Sequence, residues 1–130
     1  MPKFIHTMIR VENLARSAAF YGQVFGLAES HRLEFPTFTL LYLREPESGA
    51  EIELTLNHGR TERYTHGSGF GHLAFCVDDL EAHRKLVQGL GYESTDIKEL
   101  PGPAARARFY FTTDPDGYKI EVLQRAGHYV

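Results

Sequence analysis

A chain of 130 residues, 42% hydrophobic and 24% charged, has the make-up of one ordinary globular domain and can bury roughly two-thirds of the surface it exposes when unfolded. Its net charge of -3 gives no electrostatic case for nucleic acid or an anionic membrane. One cysteine, Cys76, excludes an internal disulfide, the N-terminal MPKFIHTMIRVEN lacks the apolar run of a signal peptide, and no stretch is long enough to span a membrane, so a cytoplasmic protein is expected.

The first strand alternates, with Ile5, Thr7, Ile9 and Val11 on one face and His6, Met8 and Arg10 on the other. A helix follows, with Asn13 as its cap, Leu14, Ala18, Tyr21 and Phe25 as its apolar stripe, and Gly26 as the left-handed residue that ends it. LLYLR and EIELTLN flank the turn signal EPESG. In EIELTLN, Ile52, Leu54 and Leu56 oppose Glu51, Glu53, Thr55 and Asn57, so a carboxylate stands in the middle of a strand on its mixed face.

From His72 the pattern begins again. Leu73, Phe75 and Val77 oppose His72, Ala74 and Cys76. Asp78 or Asp79 caps the next helix, and Asp78 with Glu81 has the spacing of a capping box. Leu80, His83, Val87 and Leu90 form its stripe, and Gly91 ends it. ARFYF, the turn DPDG and YKIEVLQ complete the chain, with Ile120 and Val122 opposing Lys119, Glu121 and Leu123.

These are two copies of one module. A shift of 66 positions pairs His6 with His72, Val11 with Val77 and Leu14 with Leu80, while Glu53 follows His6 by 47 residues and Glu121 follows His72 by 49. The expected class is α+β, written βαβββ twice, with modules at about 1–58 and 68–126 of a single domain, 1–130. Each helix covers the Ile/Leu/Val face of its strands, and the opposite face is left concave. A lone strand histidine is more often structural than a ligand, but two His and two Glu at symmetric positions of one face have a common use. Neutral imidazole and carboxylate oxygen suit a borderline divalent cation, and four such ligands leave two octahedral positions for water or two adjacent substrate oxygens.

HTMIRV, IELTLN, GHLAFCVDD and DPDGYKIEVL resemble the corresponding segments of the glyoxalase I family, within the vicinal oxygen chelate superfamily, and the likeness covers nearly the whole chain. It implies the glyoxalase/bleomycin-resistance-type fold with concave mixed sheets. It also implies a lactoylglutathione lyase that isomerises the hemithioacetal of methylglyoxal and glutathione through an enediolate. Carried over residue by residue, His6, Glu53, His72 and Glu121 match the metal ligands and Glu121 the catalytic base, with Glu53 able to serve the opposite enantiomer. Arg10 and Asn57 match positions that hold glutathione, and Arg106 or Arg108, in PGPAARARF, is the candidate for a further contact.

A short chain that starts five residues before its first ligand is similar to the nickel- or cobalt-activated type, so Ni2+ is favoured over Co2+ or Zn2+. A homodimer with interfacial sites is implied as well. Where the first module has Arg10 and Asn57, the second has Cys76 and Arg125, an asymmetry suited to an asymmetric substrate. Cys76 is expected to be a small buried residue near the pocket, and His58, His66, His83 and His128 to make local or surface contacts. Rival members of the superfamily fit less well. An extradiol dioxygenase leaves Glu53 without a role, an acyl-CoA epimerase would typically carry glutamine there, an antibiotic-sequestering protein lacks the ligands, and a fosfomycin thiol transferase uses fewer of them.

Overall fold

In a computed structural model that describes residues 1–101 and 107–130, the chain runs β1 (His6–Arg10), α1 (Leu14–Phe25), β2 (Ala28–Glu34), β3 (Phe38–Arg44), β4 (Glu51–Asn57), then β5 (Leu73–Val77), α2 (Leu80–Gly89), β6 (Lys98–Glu99), β7 (Arg108–Thr113) and β8 (Lys119–Gln124). This is βαβββ twice. It divides into two compact units, Met1–Thr65 and His66–Val130. Each holds one four-stranded sheet, in the orders β1-β4-β3-β2 and β5-β8-β7-β6. Both sheets are mixed, because the strand that opens each unit pairs in parallel with the one that closes it while the other pairings are antiparallel. A parallel pair needs a crossover, and the helix supplies it.

In the first unit α1 packs against β3 and β4 and buries Phe20, Tyr21 and Val24, while the sheet buries Ile9, Leu41, Leu43, Ile52 and Leu54. Each such large side chain contributes about 1.5–3 kcal/mol on burial. The helical stripe is rotated from the expected one. Ser17, Phe20, Tyr21 and Val24 are its buried centre, and Leu14, Ala18 and Phe25 are half-buried at its margins. Two further expectations shift at strand ends: Ile5 is exposed, and Thr55 is buried while Leu56 is only half-buried. Asn13 caps α1 by accepting from the Arg16 amide at 2.9 Å, and Gly26, at φ 71°, ends it in the left-handed region.

In the second unit α2 lies against β7 and β8, with Leu80 and Val87 buried beside Tyr110, Ile120 and Val122. Leu90 is exposed, so the expected stripe fades at its C-terminal end. Asp79 is the cap, accepting from the Ala82 amide at 3.0 Å. The expected Asp78–Glu81 box is therefore absent. Asp78 lies 2.9 Å from the Arg125 guanidinium, and Glu81 accepts from Arg108.

Candidate active site

Strand parity dictates what each sheet shows on the side away from its helix. In the first unit that face carries His6, Glu51, Glu53, Tyr42 and Asn57. His6 Nε2 stands 3.1 Å from Glu53 Oε2, because β1 and β4 are neighbours in the parallel ladder, with Met8 beside Glu53 in register. In the second unit His72 Nε2 stands 3.3 Å from Glu121 Oε2. Both units thus bring one imidazole nitrogen and one carboxylate oxygen face to face. No group of three or more His, Cys, Asp or Glu able to hold a metal forms among the described residues.

The donor set of each pair fits a metal. With metal–donor distances of about 2.1 Å, two adjacent ligands stand about 3.0 Å apart at a right angle and about 3.4 Å apart at the tetrahedral angle. The separations of 3.1 and 3.3 Å fall between those limits. Cross-strand aromatic rings hold the imidazoles by their edges. Tyr42 packs on His6 with ring centres 5.5 Å apart and planes at 76°, and Phe111 packs on His72 at 5.2 Å and 82°.

Tyr42 and Thr55 bear on Glu53 in a way that the motif comparison did not single out. Tyr42 lies across the β3–β4 ladder from Glu53 and its hydroxyl is hydrogen-bonded to that carboxylate. The bond, partial burial, and the charges of Glu53 and Glu51 push the phenol up to about 12, since ionising it would put an anion against an anion. Thr55 Oγ1 donates to Glu53 Oε1 at 3.3 Å. The signal for Tyr42 was in the alternation of LLYLR, and the length of the EPESGA turn sets which residue it faces.

The expected glutathione positions are placed as follows. Arg10 lies on β1, across from Thr55 in the ladder. Asn57 ends β4, and its Oδ1 accepts from the Tyr64 hydroxyl at 3.0 Å. The Arg60 guanidinium covers the Tyr64 ring, 4.0 Å from its centre. Tyr64 thereby takes up the amide's acceptor and leaves its N–H donors available. Arg106 lies outside the described residues. Arg108 is engaged by Glu81 and lies 3.9 Å from Glu99, while a cleft of about 550 Å³ borders the Glu121 face, lined by Phe111, Thr113, Lys119 and the 93–95 segment.

Cys76 is half-buried, more open than expected, because β5 has only one buried neighbour strand, β8. The other histidines make local contacts. His58 Nε2 lies 2.8 Å from Thr39 Oγ1 and its Nδ1 3.2 Å from the Pro36 carbonyl; His83 Nδ1 lies 2.6 Å from the Tyr110 hydroxyl. His66 stacks on Tyr118 at 4.0 Å, with planes 8° apart, and His128 meets the Tyr129 ring edge-on at 5.0 Å.

Comparison with known proteins agrees with this architecture. Residues 3–122 match the family model of the Glyoxalase/Bleomycin resistance protein/Dioxygenase superfamily. A lactoylglutathione lyase of Haemophilus influenzae is 40% identical over 126 residues, 94% of this chain and 92% of its own. The trypanothione-dependent glyoxalase I of Leishmania major superposes with a TM-score of 0.78 at 31% identity, over 95% of this chain and 87% of its own. A glyoxalase I variant from Zea mays gives a TM-score of 0.85 at 29% identity over 96% of this chain; the match spans only 45% of the maize chain.

Proposed function

We propose how a chain that belongs to the glyoxalase/bleomycin resistance protein/dioxygenase superfamily and is a lactoylglutathione lyase carries out its reaction: each of its two His–Glu pairs supplies half of the ligands of a divalent-metal site. The observation that carries this reading is the matched N···O approach in both units, 3.1 and 3.3 Å. Members of this family depend on metal. His6, Glu53, His72 and Glu121 would hold the ion, with Ni2+ favoured and Co2+ or Zn2+ as alternatives for the same imidazole and carboxylate donors. When bound, the ion supplies several kcal/mol of stabilisation to negative charge developing on the two adjacent substrate oxygens.

The substrate is the hemithioacetal of methylglyoxal and glutathione. Glu121 removes the proton from the thiol-bearing carbon C1; the C–H electron pair becomes a C1–C2 double bond, and the carbonyl oxygen on C2 takes the charge. The carboxyl then returns its proton to C2, while the hydroxyl proton on the C1 oxygen moves to the C2 oxygen. The product, S-lactoylglutathione, is an isomer, so no electron leaves the substrate. A carboxylate aligned on the C–H bond can both take the proton and return it to the neighbouring carbon.

Arg10 and Asn57 hold the glutathione portion, Asn57 through the N–H donors that Tyr64 leaves available. Arg106 supplies a further cation, since Arg108 is occupied by its own carboxylates. A homodimer in which each site joins a first-module pair to a second-module pair accounts for two half-sites per chain. Among the described residues no helix is long and apolar enough to cross a membrane, and a single free thiol suits a reducing, cytoplasmic compartment.

Metal-stripped protein reconstituted separately with Ni2+ and Zn2+ tests the proposal by thioester formation from methylglyoxal and glutathione. Recovery with Ni2+ and not Zn2+ is expected. Recovery with Zn2+ alone reverses the metal, and silence with both overturns the mechanism.

A further inference from the structure

Arg32, Arg44, Arg63, Arg84, Arg108 and Arg125 each stand beside a carboxylate. Arg60 is exposed and also fixed, but by neutral groups. Its Nε donates to the Glu62 carbonyl at 3.0 Å and its Nη2 to the Arg63 carbonyl at 3.3 Å, while the guanidinium covers the Tyr64 ring, 4.0 Å from its centre. None of the described residues gives it a carboxylate. The loop that carries it is held at both ends. His58 donates its amide to the Thr37 carbonyl at 2.9 Å and sets its ring against Thr39 and the Pro36 carbonyl, and Gly59, at φ 76°, then turns the chain through the left-handed region. Tyr64 closes the loop by donating to Asn57 Oδ1 at 3.0 Å.

We infer that Arg60, preset by its own loop, is a substrate-binding residue that receives a terminal carboxylate of the thiol tripeptide. This rests on the reading of Asn57 as a glutathione contact. A guanidinium has five N–H donors, and the backbone carbonyls engage two of them along the Nε–Nη2 edge. Both hydrogens of Nη1 and one of Nη2 remain, which is the end-on fork that matches the two oxygens of a carboxylate. A surface arginine ordinarily gives up rotamer freedom when it captures an anion, and this one has given it up beforehand. Its place suits the length of the ligand. Asn57 follows Glu53 by four residues, about 13 Å along a strand, and standard bond lengths let the arms of glutathione reach on the order of 10 Å from its sulfur. A sulfur near Glu53 therefore puts a charged end of the tripeptide near Asn57, with Tyr64 and the Arg60 fork directly beyond it.

The test measures, by calorimetry on metal-loaded protein, the affinity of the thioether S-methylglutathione and of its two amides, one made at the glycine carboxylate and one at the γ-glutamyl carboxylate. None of the three turns over. Arg60→Gln should bind the parent thioether about twentyfold more weakly than wild type does, the scale of a lost charge-assisted pair, with kcat for the hemithioacetal unchanged. Amidation at one end should weaken wild type by the same factor and the variant no further; the end that does so names the carboxylate. A residue that served merely to hold Tyr64 would, when replaced, weaken the parent and both amides alike. That pattern, or unchanged affinity in Arg60→Gln, overturns the inference while leaving the lyase mechanism standing. Absence of any thioester from wild type given methylglyoxal and glutathione overturns both.

Discussion

The two units share a chain order and a sheet order, and they differ mainly at the edges. In the first, β2 runs seven residues along β3 with a bulge between Glu29 and His31; in the second, β6 is a two-residue strand, Lys98 and Glu99, paired with Phe109 and Arg108 of β7. The closing strands differ at their ends too, with Asn57 hydrogen-bonded to Tyr64 in one and Arg125 beside Asp78 in the other. The parallel pair β1–β4 matches β5–β8 closely, down to the His–Glu approach. The duplicated scaffold keeps its His–Glu approaches alike and lets their neighbours diverge, as the proposed ion and an asymmetric substrate would require.

The sharpest way to break that symmetry is to remove one carboxylate at a time. Glu121→Gln should lower kcat by about a thousandfold, the scale of a lost general base, with circular dichroism unchanged. Glu53→Gln should lose less turnover at saturating Ni2+ and recover part of its activity as metal is raised. Equal losses that excess metal does not relieve would make the two units functionally alike.

Cores come next. Leu54 is fully buried at the centre of the first sheet, and Leu54→Ala should cost about 3 kcal/mol in denaturant unfolding. A cost under about 1 kcal/mol would mean that the first unit repacks freely around the cavity. On the substrate side, Arg10→Ala should raise KM for the hemithioacetal about tenfold with kcat little changed, as for loss of uniform binding. Cys76→Ala, at the equivalent place of the second unit, should leave KM as it was. Tyr64→Phe should raise KM by about threefold, one neutral hydrogen bond's worth, because Asn57 is then free to turn.

The smallest expected effect separates the second unit's surface from its site. Arg108 beside Glu81 holds that carboxyl below its usual range. A group with a lowered folded pKa stabilises the fold above the ordinary carboxylate range and loses that contribution as pH falls through the lower folded value. Glu81→Gln should therefore be slightly less stable than wild type at neutral pH and converge with it in acid. Because the pair is exposed, 0.5 M salt should also erase the difference.

The alternation of HTMIRV and EIELTLN sufficed to put His6 and Glu53 on one face, because side chains in a strand alternate whatever surrounds them. The repeat then carried the same statement to His72 and Glu121. Helix details were less legible. Asp78 and Asp79 offer the same side-chain chemistry, and the choice of Asp79 followed from where α2 could lay Leu80 and Val87 on the sheet. Glu81 had the spacing of a box partner, and a cation from β7, distant in sequence, took it instead. The stripe of α1 centres on Ser17, Phe20, Tyr21 and Val24, a rotation that the periodicity of its own residues did not fix.

By itself, the amino-acid order determined the βαβββ repeat and the face of its strand on which each histidine and glutamate stands, since those follow from local periods of two and 3.6 residues. Only the tertiary structure decided which side chains stand across from the glutamates, and so made Tyr42 the partner of Glu53 and Phe111 the neighbour of Glu121. Parity tells a residue its face, but its partner is chosen by the register of a hydrogen-bonded ladder, which closes only when turn, neighbouring strand and covering helix are all in place.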